Sequence, residues 1–230
     1  MINRIINKIL GVVGFEANVK RKNKPFNDAP RLEKEFSKHG KVKLHIGCGP
    51  RILKGWINID LDYEPYENYL KYYTDKYYGP EVRGDRSDFY AINVTKTRLP
   101  LPDNSVDVIF HEDFIEHLTQ EQQVVFLAET VRVLKRGGVH RVNTPNLISS
   151  MKKSEFSKGL EGVCVDEWHK TSHLNVLSPL VLKEVALLVG YSEVNFNSRD
   201  RSGSELIPLE YRPNLKDRPE HGNMFADLIK

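Results

Sequence analysis

The sequence predicts an α/β domain built on a mostly parallel sheet, and three observations carry that expectation. From Val42 onward, short apolar runs alternate with helical patterns, as strands and their crossover helices do. Each apolar run is bounded by Gly, Pro, Asn or Asp, which is how buried strands are punctuated. The chain has 230 residues, 40% hydrophobic and 28% charged, enough length and apolar content for a real core.

The elements follow in order. Met1 to Phe15 places Ile2, Ile5, Ile6, Ile9 and Leu10 at helical spacing, and a basic run, Lys20-Arg21-Lys22-Asn23-Lys24, follows. Residues 1–40 therefore read as a basic amphipathic arm and residues 41–230 as the domain. Such an arm packs on the domain or a neighbour, or rests peripherally on an anionic membrane surface. Strands are expected at Val42–Ile46, Ile57–Ile59, Phe89–Ile92 and Val106–Phe110. Gln120 to Lys135 is a helix by the spacing of Val124, Leu127, Ala128, Val131 and Leu134, stopped by Gly137-Gly138. Val139–Asn143 is the next strand. Pro179–Val189 is a second helix closed by Gly190, and Ser192–Phe196 and Asn223–Ile229 are the last strands.

Composition excludes several classes. No apolar run reaches the roughly 18 residues of a membrane-spanning helix. The two cysteines, Cys48 and Cys164, form no metal-binding or disulfide pattern, which points to a reducing cytoplasmic setting. Net charge is +3, but residues 1–43 hold eleven Lys or Arg against four Asp or Glu, and the rest holds 23 against 27. A mildly acidic body argues against nucleic acid as a partner.

The chemistry is concentrated at two places. Gly47-Cys48-Gly49 follows the first strand, and glycines there let a ligand approach the backbone with no Cβ in the way. Asp60 closes the second strand, where a carboxylate can accept hydrogen bonds from both hydroxyls of a ribose. A G-x-G alone marks a tight turn as readily as a ligand site; the acid ending the next strand favours a nucleoside. Histidines supply candidate general bases: His117 in Glu116-His117-Leu118, and His169 and His173 in the segment after the fifth strand. Asp166 or Glu167 with His169 and His173 have the count of a divalent metal site but lack a fourth clustered ligand, and no metal is assigned. Tyr63 to Asp88 holds seven of the ten tyrosines, suited to a lid over an acceptor or to an insertion packed on the sheet edge.

Leu44 through Gly49 and Gly55-Trp56-Ile57-Asn58-Ile59-Asp60 resemble the first motif of class I S-adenosylmethionine-dependent methyltransferases. The likeness is to a type 11-like branch with a short glycine loop. Leu99 to Ile109, Glu116-His117-Leu118, Glu129 to Gly138 and Asn143-Thr144-Pro145-Asn146 continue it in order. The resemblance implies a Rossmann-like seven-stranded sheet and S-adenosylmethionine as cofactor. It assigns Gly47, Cys48 and Gly49 to the methionine end, Asp60 to the ribose, and Leu61, Asn93 and Val94 to the adenine. His111 and Glu112 are placed beside the cofactor, with Arg51 as a candidate partner for its carboxylate, and His173 at the acceptor opening. The activity implied is methyl transfer to a small-molecule or saccharide-type hydroxyl. The alternatives are a non-catalytic or regulatory protein that keeps the cofactor site and, last, an NAD-binding dehydrogenase, whose G-x-G-x-x-G is missing.

Overall fold

The computed structural model describes residues 27–71, 78–152, 168–169, 171–209 and 222–230. Strand β1 is Lys43–Ile46, β2 Ile57–Asp60, β3 Phe89–Ala91, β4 Val106–Glu112, β5 Leu134–Pro145, β6 Glu193–Asn197 and β7 Asn223–Ile229. They form one seven-stranded sheet in the order β3-β2-β1-β4-β5-β7-β6. All neighbours from β3 to β5 are parallel, and β7 runs antiparallel to both β5 and β6. The chain winds outward from β1 to β3 and then crosses to β4. The order therefore reverses between β1 and β4, and sheets of this kind bind ligands at the carboxyl ends beside such a point.

Among the described residues the α-helices are α1 (Ala29–Glu35), α2 (Tyr66–Tyr69), α3 (Gln120–Val133), α4 (Leu147–Met151) and α5 (Pro179–Val189). One side of the sheet packs Leu44, Ile46, Ile57, Ile59 and Ile109 against Leu32 of α1, Leu127 of α3 and Leu182 of α5. The other side packs Val108 and Phe110 against Leu53, Trp56, Tyr69 and Tyr78. Helix α3 begins with a capping box, Thr119 Oγ1 accepting from Gln122 N and Gln122 Oε1 accepting from Thr119 N. Ser178 caps α5, Pro179 fills its first turn, and Gly190 ends it at φ +118°.

One boundary departs from expectation. Helix α3 ends at Val133, and Leu134 is already extended and pairs with Val106. The glycine pair is not a helix stop but lies in β5, where the register slips between Val106 and Val108. Gly137 takes φ +74° there and donates to the Lys230 carbonyl. Burying Leu134 completely in the core outweighs continuing the helical pattern through it.

The short β1–β2 connection has no helix, and Asn58 does the fastening instead. Its Nδ2 donates to the carbonyls of Leu53, Trp56 and Asp88, and its Oδ1 accepts from Leu53 N. Four backbone groups that a helix would have paired are thus satisfied by one buried amide.

The inner end of the arm is part of the packing. Leu32 is fully buried, and the Asp28 carboxylate accepts from Ala91 N of β3 and pairs with Arg86. Arm residues 1–26 lie outside the described residues. Starting the chain at residue 40 instead of residue 27 should cost about 3 kcal/mol or more from these contacts. Thermal melting should show it as a fall of roughly 6 °C or more; an unchanged Tm would contradict the packing role.

Three core histidines are held neutral. His45 stacks on Phe110 and its Nδ1 faces Asn58 Oδ1 at 3.2 Å. His111 Nδ1 lies 2.9 Å from His140 Nε2, and His140 Nδ1 lies 2.7 Å from Tyr191 Oη, which in turn donates to Thr130. Burial pushes His45 and His111 down to about 3 and His140 well below the ordinary value. The unfolded chain takes up these protons near pH 6.5, whereas the folded chain resists them. Stability should therefore be full above pH ~6.5 and fall as pH drops towards 3, by about 1.4 kcal/mol per pH unit for each histidine. Urea midpoints at pH 7 and pH 5 measure this, and equal midpoints would contradict neutral burial.

Candidate active site

The carboxyl ends of β1 to β4 converge on two adjoining cavities that share Gly47. The larger, about 270 Å³, is lined by Gly47, Asp60, Leu61, Asn93, Val94, Lys96, Phe114, His117 and Gln122, among others. The smaller, about 160 Å³, is lined by Gly47, Cys48, Gly49, Arg51, Tyr69, Glu112 and Asp113, among others.

The floor is set by the glycine turn. Gly47 (φ +64°) and Gly49 (φ +49°) both take the left-handed region. A Cβ on Gly47 would meet the Phe114 ring at 2.4 Å, whereas one on Gly49 would meet nothing within 4 Å. The two glycines thus do different things: Gly47 makes room for Phe114, and Gly49 leaves open space. Asp60 ties the turn down, Oδ2 accepting from Gly49 N at 2.9 Å and Oδ1 from Leu61 N at 2.7 Å. Burial raises its pKa, and these two backbone donors work against that rise. Each oxygen keeps a further lone pair for a ligand hydroxyl.

Asn93 reaches the larger cavity, but its Oδ1 already accepts from Thr95 N and Oγ1. The oxygen expected to meet the adenine amino group thus holds the turn after β3. Val94 and the exposed Leu61 form apolar wall. Glu112 lies in the smaller cavity, its Oε2 accepting from Arg51 Nη1 at 2.7 Å and its Oε1 from Asn143 Nδ2. The buried Cys48 lines the same space, and burial pushes its thiol pKa well up.

His111 is not brought to either cavity. Its side chain is fully buried, edge-on to Phe114 with ring centroids 5.9 Å apart, so it supports the wall rather than touching a ligand. Strand alternation explains this, since Phe110 and Glu112 face one side of the sheet and His111 the other.

The histidines separate into three situations. His117 lines the larger cavity. His173 is buried behind it, ring edge-on to His117 with centroids 4.9 Å apart. His169 is exposed and lines neither cavity. The Asp166–Glu167 pair and Cys164 fall outside the described residues. Of the tyrosine segment, Tyr66, Tyr69 and Tyr78 pack ring against ring with centroids 5.3–5.8 Å apart, and Tyr69 reaches the smaller cavity. Tyr72, Tyr73 and Tyr77 are not among the described residues.

Sequence reasoning missed Phe114, Lys96 and Gln122 as cavity lining. Phe114 falls between the Leu99–Ile109 and Glu116–Leu118 motifs and Gln122 in a legible capping box, but nothing in the pattern marks Lys96.

Residues 44–142 match the family described as "Methyltransferase domain". Over 141 residues the chain is 53% identical to a probable S-adenosylmethionine-dependent methyltransferase of Mycolicibacterium smegmatis, covering 56% of this chain and 49% of that one. It is 47% identical over 67 residues to another so named in Mycobacterium tuberculosis, covering 28% and 24% of the two. The chain thus spans about half or less of these relatives' length. A crystal structure of a SAM-dependent methyltransferase from Archaeoglobus fulgidus is 18% identical with TM-score 0.48, covering 88% and 92%.

Proposed function

We propose that this chain, whose residues 44–142 match a methyltransferase-domain family, moves the methyl group of S-adenosylmethionine to a hydroxyl of a small-molecule or saccharide-type acceptor. The observation that carries the reading is Asp60, a part-buried carboxylate at the end of β2, facing a cavity opened by a left-handed glycine turn.

The residues fit the cofactor from end to end. Asp60 takes the ribose hydroxyls. Leu61 and Val94 offer apolar surface to the base. The amino-acid end carries one charge of each sign, and the smaller cavity presents Arg51 and Glu112 side by side to match both. S-adenosylmethionine supplies a methyl group on a good leaving group, so the chain's task is mainly to bind and orient. Phe114 and His117 also line the larger cavity, which supports an acceptor bound at that end. The hydroxyl reading is supported by that imidazole, and the mildly acidic body of the chain disfavours an anionic acceptor.

Calorimetry with S-adenosylmethionine and NAD in parallel tests the cofactor. Binding of the first alone supports the proposal, and binding of NAD alone overturns it. Transfer of labelled methyl to a panel of hydroxyl and amine acceptors tests the rest. Turnover on amines only would overturn the hydroxyl reading, and binding without turnover on any acceptor would favour the regulatory one.

A further inference from the structure

We propose that Glu116, His117 and His173 bind a divalent transition-metal cation at the acceptor end of the larger cavity. Resting on the methyl-transfer reading, we further infer that this cation receives the acceptor hydroxyl.

One ligand atom from each of the three residues lies within 4.8 Å of the other two, a grouping of one carboxylate and two imidazoles. Glu116 Oε1 and His173 Nε2 are 3.9 Å apart, too far to hydrogen-bond to each other and close to the spacing that a shared cation imposes. Bonds of about 2.0–2.2 Å would close the three inward by small torsions. Glu116 and His117 are neighbours on one 3-10 turn, Ile115–His117. His173 is brought to them by two main-chain bonds, Leu174 N and Asn175 N both donating to the Glu116 carbonyl.

The surrounding groups have the form that orients metal ligands. Thr144 Oγ1 donates to Glu116 Oε2 at 3.0 Å, leaving Oε1 directed at His173. His117 donates one ring nitrogen to the Ser172 carbonyl, which fixes the tautomer and leaves the other nitrogen an acceptor. Ser172 holds φ +57°, an uncommon conformation for a non-glycine residue, and it is this backbone that presents both the carbonyl and His173. Glu116 and His173 are buried while His117 lines the cavity, so a cation here would be anchored from behind and open in front.

Two imidazoles and one carboxylate suit Zn²⁺, Mn²⁺, Fe²⁺ or Co²⁺ better than Mg²⁺ or Ca²⁺, which prefer oxygen. Three protein ligands leave positions for water and for the acceptor oxygen. Coordination makes the hydroxyl more acidic, and its proton leaves to solvent water. The oxygen lone pair then forms the bond to the methyl carbon. The carbon–sulfur bond breaks and its electron pair stays on sulfur, with no change of oxidation state at the metal.

The test is a titration of untagged, chelator-treated full chain with Co²⁺, read by its visible absorption, and with Zn²⁺, read by calorimetry. One cation per chain is expected. His117→Ala, at an exposed position that should not disturb folding, is expected to weaken Co²⁺ binding by about 100-fold or more, and Glu116→Gln or His173→Gln similarly. No stoichiometric uptake by the parent chain, or full affinity in His117→Ala, overturns the cation site. S-adenosylmethionine affinity, measured separately, keeps the two readings distinct. Co²⁺ uptake without cofactor binding sustains the site and removes methyl transfer, and cofactor binding without Co²⁺ uptake does the reverse.

Discussion

Asp60→Ala is expected to weaken S-adenosylmethionine binding by roughly 10²–10⁴-fold while the domain stays folded. Hydrogen bonds to a charged group are worth about 1.5–3 kcal/mol each, and two ribose hydroxyls would be lost together. The same substitution releases Gly49 N and Leu61 N, which Asp60 now holds at 2.9 and 2.7 Å, so the glycine turn loosens as well. Asp60→Asn separates the two effects. Its amide oxygen still accepts one bond, but its NH₂ faces a backbone donor. Calorimetry should rank the parent chain above Asn and Asn above Ala. Unchanged affinity in a folded Asp60→Ala would remove the ribose assignment.

The second large effect is at Gly47. In Gly47→Ala the new Cβ would lie 2.4 Å from Phe114 Cδ2, and the residue must keep φ +64°. Left-handed strain costs about 1–2 kcal/mol and overpacking about 1–3. Stability should therefore fall by about 2–5 kcal/mol, with cofactor affinity down by two orders of magnitude or more as Phe114 is pushed into the cavity. Adding Phe114→Ala should return part of the stability, because the clash has a single partner. By contrast, Gly49→Ala meets open space and should show the left-handed strain alone. Equal losses at both glycines would mean that Phe114 is not what Gly47 accommodates.

What the sequence made legible follows from the range of the forces involved. Most of the strands can be read because they are short apolar runs with polar ends, whereas β5 runs from Leu134 to Pro145 and only its Val139–Asn143 part is legible. Pro179–Val189 and Asn223–Ile229 fall where expected because Ser178, Pro179 and Gly190 are local signals. The end of α3 was misplaced because the pairing of Leu134 with Val106 is a contact between strands, invisible to helical spacing. Asn58 belongs to a recognisable motif, yet its work of fastening four backbone groups depends on a loop folded back over it.

The site divides in the same way. Asp60, Gly47 and Gly49 were identifiable because strand ends and glycines carry their position in the sequence. His111 was misplaced by one step of alternation, to the wrong face of β4. His173 was favoured as the acceptor-side base by its position after β5, but the ring that reaches the cavity is His117, with His173 behind it. Its partner Glu116 is reached by tertiary packing, whereas the acids considered with it, Asp166 and Glu167, were merely near in sequence.

The most direct test of the account is a crystal structure of the chain with S-adenosylhomocysteine. The account predicts both ribose hydroxyls within hydrogen-bond distance of the Asp60 carboxylate, the amino-acid end beside Arg51 and Glu112, and the sulfur opening towards His117. A nucleoside bound with its ribose away from Asp60, or its sulfur turned from His117, would contradict it.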